Sequence, residues 1–237
     1  MRIAEVFESV QGEGKWLGMP SLFIRTSGCN LRCSWCDTPY ASWRPEGGEM
    51  SVGEILRLAG ESRSLHVVIT GGEPLIQPFA QLRELIEGLR ELGKVITVET
   101  AGTVWQELPV DLASISPKLA NSAPDAKEHP GLSGKMVKLH EKRRINLDIL
   151  RQFAKGTTIK ERQWKFVVAA PSDLDEIEAL CARIEGIPAP DVFLMPEGRT
   201  IEEIRHKGAW IAAECIRRGY RYGHRLQIEL FGNTRGT

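Results

Sequence analysis

Short apolar runs recur along the chain and alternate with stretches whose apolar residues return every three or four positions. The first kind predicts strands at Arg2–Phe7, Leu22–Thr26, His66–Thr70, Val95–Glu99, Leu112–Ser116, Lys165–Ala169, Val192–Met195 and Leu226–Leu230. The second predicts helices at Ser51–Gly60, Phe79–Leu92, Ile145–Lys155, Leu174–Ile184 and Ile201–Arg218. Ser51 with Glu54 three residues later is a capping-box signal, and Ser172 or Asp173 is the expected cap of the fourth helix. Strand followed by helix, repeated, predicts an α/β fold with a parallel sheet and right-handed crossovers. The pattern alone leaves open whether that sheet closes into a partial barrel. In either case the working loops should follow the C-terminal ends of the strands. Asn121–Lys135 is polar, with two prolines and two glycines, and reads as a surface loop inside a single domain spanning residues 1–237.

Composition narrows the class. Of 237 residues, 42% are hydrophobic and 26% charged, as in globular proteins, and this length can bury one good-sized core. Lys plus Arg and Asp plus Glu both number 31, and that balance argues against direct binding to nucleic acid by phosphate neutralisation. No apolar run approaches the roughly 18–20 residues that span a bilayer, and the N-terminus lacks a secretory pattern. A cytoplasmic location is the expectation.

Three of the five cysteines fall within eight residues, in Gly28-Cys29-Asn30-Leu31-Arg32-Cys33-Ser34-Trp35-Cys36-Asp37-Thr38. Thiolates are the ligands of iron–sulfur clusters, which usually take four. Three cysteines therefore hold three irons of a [4Fe–4S] cluster and leave the fourth open to a ligand with an amine and a carboxylate. A zinc site is the alternative, but it would ordinarily carry four protein ligands. Gly28 frees the backbone to turn around a bulky cube. Gly71-Gly72-Glu73-Pro74 follows a predicted strand and is by itself an ordinary turn.

The Cys-x3-Cys-x2-Cys spacing, with aromatic Trp35 before Cys36, resembles the radical S-adenosylmethionine superfamily. Further segments resemble one family within it, the 7-carboxy-7-deazaguanine synthases. These are Ser9-Val10-Gln11-Gly12-Glu13-Gly14, Arg25, Asp37-Thr38, Thr70, Glu99-Thr100-Ala101-Gly102-Thr103, Ser116-Pro117-Lys118 and the C-terminal Phe231–Thr237. The resemblance covers nearly the whole chain and is weaker between Asn121 and Arg162. It implies an abbreviated, partial β/α barrel of the radical S-adenosylmethionine type with parallel core strands. It implies a lyase that converts 6-carboxy-5,6,7,8-tetrahydropterin to 7-carboxy-7-deazaguanine with loss of ammonia, in queuosine and deazapurine synthesis. The implied cofactors are the cluster, S-adenosylmethionine and magnesium. The implied partners are a second copy of the chain, a small pterin and an external electron donor such as flavodoxin. Activation of a glycyl-radical enzyme is the rival function, since it shares the cysteine motif.

The resemblance also assigns residues. Cys29, Cys33 and Cys36 hold the cluster, and Thr38 a magnesium ion through a hard hydroxyl oxygen. Gly72, Glu99, Ser116, Pro117, Lys118 and Met195-Pro196-Glu197-Gly198 are expected at the cofactor. Val10, Gln11, Gly12, Glu13, Arg25, Thr70 and Thr237 are expected at the substrate, with Arg25 suited to a carboxylate. Many members carry a histidine in the last strand where this chain has Gln227, which bonds hydrogen but does not titrate. Taken alone, several of these residues are equally readable as turns or ion pairs. Cys181 and Cys215 lie in helical patterns and read as core. Lys142-Arg143-Arg144 reads as a solvated face, with an acidic partner such as a flavodoxin electron donor as the lesser alternative. His66, His129, His140, His206 and His224 share no ligand spacing and receive no catalytic role.

Overall fold

Nine strands form one sheet in the computed structural model, which describes residues 1–125, 129 and 131–237. In chain order the elements are β1 (Arg2–Val10), β2 (Pro20–Thr26), α1 (Pro39–Ser42), β3 (Gly48–Glu49), α2 (Val52–Glu61), β4 (His66–Gly71), α3 (Phe79–Glu91), β5 (Val95–Thr100) and β6 (Leu112–Ile115). They continue with α4 (Gly134–Arg143), α5 (Leu147–Lys155), β7 (Glu161–Val168), α6 (Asp173–Ile184), β8 (Val192–Pro196), α7 (Ile201–Arg218), β9 (Arg221–Tyr222) and α8 (Leu226–Phe231). The strand order is β3-β1-β2-β4-β5-β6-β7-β8-β9. β1 runs antiparallel to both neighbours, and every pair from β2 to β9 is parallel. Strands added in one direction through right-handed crossovers place their helices on one face and curl the other. β3 and β9 remain as edges, so the structure is an open, partial barrel.

The pleat sorts side chains between the two faces. Leu22 and Ile24, Val67 and Ile69, Ile96 and Val98, Ala113 and Ile115, Trp164 and Phe166, and Val192 and Leu194 join the core under the helices. Their neighbours Arg25, Thr70, Glu99, Ser114, Lys165 and Met195 point to the concave face. Polar residues on strands buried on both faces are the fold's own sign of a site, because they oppose the usual apolar run. Lower in the same face His66 lies buried between Ser21 Oγ, 2.7 Å away, and Thr97 Oγ1, 2.8 Å away.

The Ser51 capping box forms as expected. The expected cap of α6 does not. Ser172 is itself helical and makes no cap bond, while Asp173 Oδ2 accepts from the amides of Ala169 and Ala170 and from Asn121 instead. Leu226–Leu230 is a helix rather than a strand. Its apolar alternation is not a buried face, since Ile228 is buried but Leu230 is exposed, and the edge position is already filled by β9. The expected loop Asn121–Lys135 gives way to α4 at Gly134, where Ser133 Oγ caps Met136 N. Positions 126–128 and 130 of that segment lie outside the described residues. Cys215 is buried in the core and Cys181 packs against it. No helix among the described residues is long and apolar enough to cross a membrane.

Candidate active site

The cluster loop leaves β2 through Gly28, whose φ of +104° is a conformation that side chains other than hydrogen resist. Its path is fixed from several sides. Arg32 N donates to buried His140 Nδ1 (3.1 Å), Trp43 Nε1 to Cys33 O (3.0 Å), and Trp35 Nε1 to Asn121 O (3.1 Å). Arg199 Nη2 reaches Ser34 O and Cys36 O, both at 3.2 Å. Cys29, Cys33 and Cys36 are free thiols that gather with Leu31, Trp35 and Ala101. Burial pushes the Cys29 and Cys33 thiols up to about 12. Such groups become thiolates only beside a strong positive centre, which iron supplies. Three thiols gathered in one loop are a donor set that fits a cluster, one thiolate to each of three irons. Leu31 N donates to Cys29 Sγ (3.4 Å) and Ser42 Oγ lies 3.1 Å from Cys36 Sγ.

Gly71 and Gly72 line the cavity and also let backbones meet closely. A Cβ on Gly72 would stand 2.1 Å from Gly28 O and 2.6 Å from Ala41 O, so this glycine lets the end of β4 press against the cluster loop. Glu73 then ties the next strand. Fully buried, it accepts from Thr100 Oγ1 (2.8 Å), Ala101 N (2.8 Å) and Leu75 N (3.1 Å), and burial raises its pKa.

A cavity of about 470 Å³ opens on the concave face. Cys36, Thr38, Gly72, Ser116 and Lys118 line it together with Val10, Gln11, Gly12, Glu13, Arg25, Thr70 and Glu99. Met195, Glu197, Gly198, Gln227 and Thr237 complete the expected set. Pro117, Pro196 and Cys33 are buried and outside the lining. Cys29 faces a separate, smaller cleft.

The cavity wall carries an ion network. Glu13 is bonded by Lys165 Nζ, by Arg225 Nε at 3.2 Å and by Gln227 Nε2 at 2.9 Å. Burial opposes its charge, but the Lys165 and Arg225 cations prevail and hold its pKa at about 2. Lys165 also stands 3.8 Å from Glu99, which takes Thr70 Oγ1 at 2.9 Å. Gly12 gives Gln227 its room, since a Cβ there would lie 1.8 Å from Gln227 Oε1. Arg225 bonds Asp37 and Gly198 O as well as Glu13, joining three loops. Neither Lys165 nor Arg225 belongs to a recognisable motif. Lys165 had a signal, a charge amid a buried strand, whereas Arg225 had none.

Arg25 Nε is paired with Glu5 at 2.7 Å, and no other bond of its guanidinium is present among the described residues. Glu5 also takes Tyr40 OH (2.7 Å) and Arg235 Nε (3.1 Å). Through Arg235, which stacks 4.0 Å over Tyr40 and bonds Glu46, the C-terminal segment is pinned across the cavity mouth. Lys118 Nζ donates to Ser116 Oγ (2.8 Å) and lies 5.4 Å above the Trp35 ring, with no carboxylate partner among the described residues.

Residues 23–122 match the Radical SAM superfamily. The chain is 46% identical to a 7-carboxy-7-deazaguanine synthase of Rhodopirellula baltica, over 99% of this chain and 88% of the relative. It is 44% identical to one of Halobacterium salinarum, over 98% and 90%. In fold it resembles the crystal structure of QueE from Escherichia coli, with a TM-score of 0.66 and 24% identity over 93% of this chain and 92% of that one. Identity of this extent along nearly the whole length places the chain in the 7-carboxy-7-deazaguanine synthase family of radical S-adenosylmethionine enzymes.

Proposed function

We infer that this chain, acting as one domain over residues 1–237, converts 6-carboxy-5,6,7,8-tetrahydropterin to 7-carboxy-7-deazaguanine with loss of ammonia, in deazapurine and queuosine synthesis. The observation that carries the reading is a single cavity lined both by the cluster loop and by charged residues of the strands. Chemistry begun at the loop would thus share one compartment with the expected substrate contacts. Names of relatives matched over the full length favour this reaction over glycyl-radical activation.

Superfamily membership brings a [4Fe–4S] cluster and S-adenosylmethionine. Cys29, Cys33 and Cys36 would hold the cluster, and the bound cofactor would supply one-electron cleavage and hydrogen abstraction from the substrate. Lys118 and Ser116 suit its carboxylate and ribose oxygens, and Lys118 has no competing carboxylate. Gly72, Glu99 and the strand end Met195-Pro196-Glu197-Gly198 complete that side. Thr38 offers a hydroxyl to magnesium, with water and substrate oxygens filling the octahedron.

On the substrate side, Arg25 has its terminal nitrogens left for a carboxylate. Glu13 stays ionised at all working pH and only accepts, as the N–H edge of a pterin requires. Val10, Gln11, Gly12, Thr70, Gln227 and the Thr237 end close around that edge. A homodimer, an external electron donor and a cytoplasmic setting belong to the same reading. Reduced, iron-loaded protein given S-adenosylmethionine, magnesium and the carboxytetrahydropterin should yield the deazaguanine. Protein that cleaves the cofactor yet forms none of this product would overturn the substrate assignment.

A further inference from the structure

We propose that Arg235 of the C-terminal segment is a positioning residue for Arg25, holding Glu5 in a pose that leaves Arg25 open to the substrate carboxylate; the proposal rests on the reading of Arg25 given above. Glu5 and Arg25 face each other as register partners on β1 and β2, so their pairing is built into the sheet. A carboxylate so placed can grip a guanidinium through two parallel bonds, and that grip would take one of the two terminal nitrogens a substrate carboxylate needs. Here the grip is single. Only Glu5 Oε1 reaches Arg25, at Nε (2.7 Å), and the same oxygen accepts from Tyr40 OH (2.7 Å). Oε2 is turned to Arg235 Nε at 3.1 Å. Arg25 therefore keeps Nη1 and Nη2 without a bond among the described residues. Phe7, stacked on Phe23, lies 5.5 Å from Arg25 Cζ and supports the guanidinium plane.

Arg235 is itself held for this task. Its Nε is on Glu5, its Nη1 on Glu46 (2.8 Å), and its guanidinium lies 4.0 Å over the Tyr40 ring. Glu5 stands outside the cavity lining, so it acts on a ligand only through the side chains it holds. Burial opposes its charge, but the bonds from Tyr40, Arg25 and Arg235 prevail and lower its pKa, so it is a competing anion near neutral pH. In the C-terminal segment Thr234 Oγ1 and Thr237 Oγ1 bond only to Phe231 O and Thr234 O. Among the described residues, the Arg235 bonds are thus the only hydrogen bonds that join positions 233–237 to the chain before α8. With this segment seated, Glu5 is divided between two arginines. With it released, Glu5 Oε2 is free to close on Arg25 and occupy a terminal nitrogen. Recognition of the substrate carboxylate is in this way conditional on the C-terminal segment being in place.

The test compares the Kd of 6-carboxypterin with that of pterin, which lacks the carboxylate, for the iron-loaded enzyme holding S-adenosylmethionine. Wild type should bind 6-carboxypterin the more tightly. Losing one charge-assisted bond to the carboxylate in Arg235→Gln should cut that preference about tenfold. Arg235→Lys, whose ammonium can still hold Glu5 Oε2, should restore most of it. The Arg235 side chain is 44% exposed near the chain end, so neither change disturbs the core. In a Glu5→Gln background the further change Arg235→Gln should leave the preference where it is, because the competing carboxylate is already gone. Equal weakening of both pterins in Arg235→Gln would show that the segment merely walls the cavity, and would overturn the proposal. A further loss of preference in the Glu5→Gln background would show that Arg235 acts on the ligand directly, and would overturn it as well. A wild type with no preference for 6-carboxypterin would remove the carboxylate reading of Arg25, and the proposal with it.

Discussion

Glu13 and Lys165, 152 residues apart in the chain, meet as a buried ion pair on the cavity wall. Each is surrounded by further charge, Glu13 by Arg225 and Lys165 by Glu99. Removing one partner of a buried pair leaves an uncompensated charge, which typically costs about 3–5 kcal/mol. Lys165→Met should fall at the lower end, about 3 kcal/mol, because Arg225 still faces Glu13. Adding Glu13→Gln should recover part of that loss, since the stranded charge goes with it. Urea midpoints of the two single variants and the double variant measure the coupling. Simple additivity would mean that the two residues do not act as a pair.

His66 gives the fold an acid sensitivity. An unfolded histidine takes up its proton near pH 6.5, while burial lowers His66 to about 4. Between those values the unfolded chain binds the extra proton. This contribution to stability is therefore complete above pH 6.5 and falls as pH drops toward 4. Buried His140, also near 4, slopes the same way, and Glu73, raised by burial, slopes the other. The comparison of His66→Gln with wild type isolates the one residue. Glutamine keeps a donor and an acceptor for Ser21 and Thr97 and does not titrate. The variant should lose less stability than wild type between pH 7 and pH 4.5. Parallel curves would contradict a buried neutral imidazole.

These two cases mark what the amino-acid order discloses and what it withholds. Strands β2, β4 and β5 are legible because buried parallel strands are nearly continuous apolar runs, and the cysteine spacing is legible because ligand chemistry demands it. Leu226–Leu230 misleads because apolar alternation says nothing about which neighbour is present, and β9 already occupies the edge. His140 escapes notice because its role is to accept Arg32 N, a contact 108 residues away that no local pattern encodes. Arg225 is hidden for the same reason, with its partners Asp37, Glu13 and Gly198 brought together only by the tertiary fold.

Gly72→Ala tests the close approach of β4 to the cluster loop. The added methyl would meet two carbonyl oxygens of the backbone, which cannot rotate away as a side chain can. A cost of about 3 kcal/mol, the upper end of ordinary overpacking, is expected, together with lower iron content. Gly53→Ala is the control, because its Cβ would meet nothing within 4 Å and it lies within α2. That change should stabilise by about 0.5–1 kcal/mol. Urea midpoints and iron per chain distinguish the two. Gly72→Ala with normal stability and full iron would show that the loop has another way to seat.

Arg225→Lys keeps the charge but loses the planar fork that reaches three loops at once. One ammonium cannot bond Asp37, Glu13 and Gly198 O in those directions together. Product formation should fall at least tenfold, equivalent to about 1.4 kcal/mol, with most of the loss in KM for the pterin. Iron content should be unchanged, as the cluster loop is also held by His140, Trp43 and Arg199. A normal KM with reduced iron would move Arg225 from the substrate wall to the support of the cluster loop.

The sharpest separation is between cysteines of different kinds. Cys33 and Cys215 are both buried and both carry thiols raised by burial, to about 12 and about 11. Burial alone would make them equivalent. Cys33, however, sits with Cys29 and Cys36, whereas Cys215 packs among the aliphatic residues under α7. Cys33→Ala should therefore abolish cofactor cleavage and drop the cluster below the roughly four irons and four sulfides per chain expected of wild type. Cys215→Ala should lower stability by about 1 kcal/mol and leave both iron and cleavage intact. Deoxyadenosine released by the Cys33 variant at the wild-type rate would mean that this thiol is core as well, and that the iron is held elsewhere.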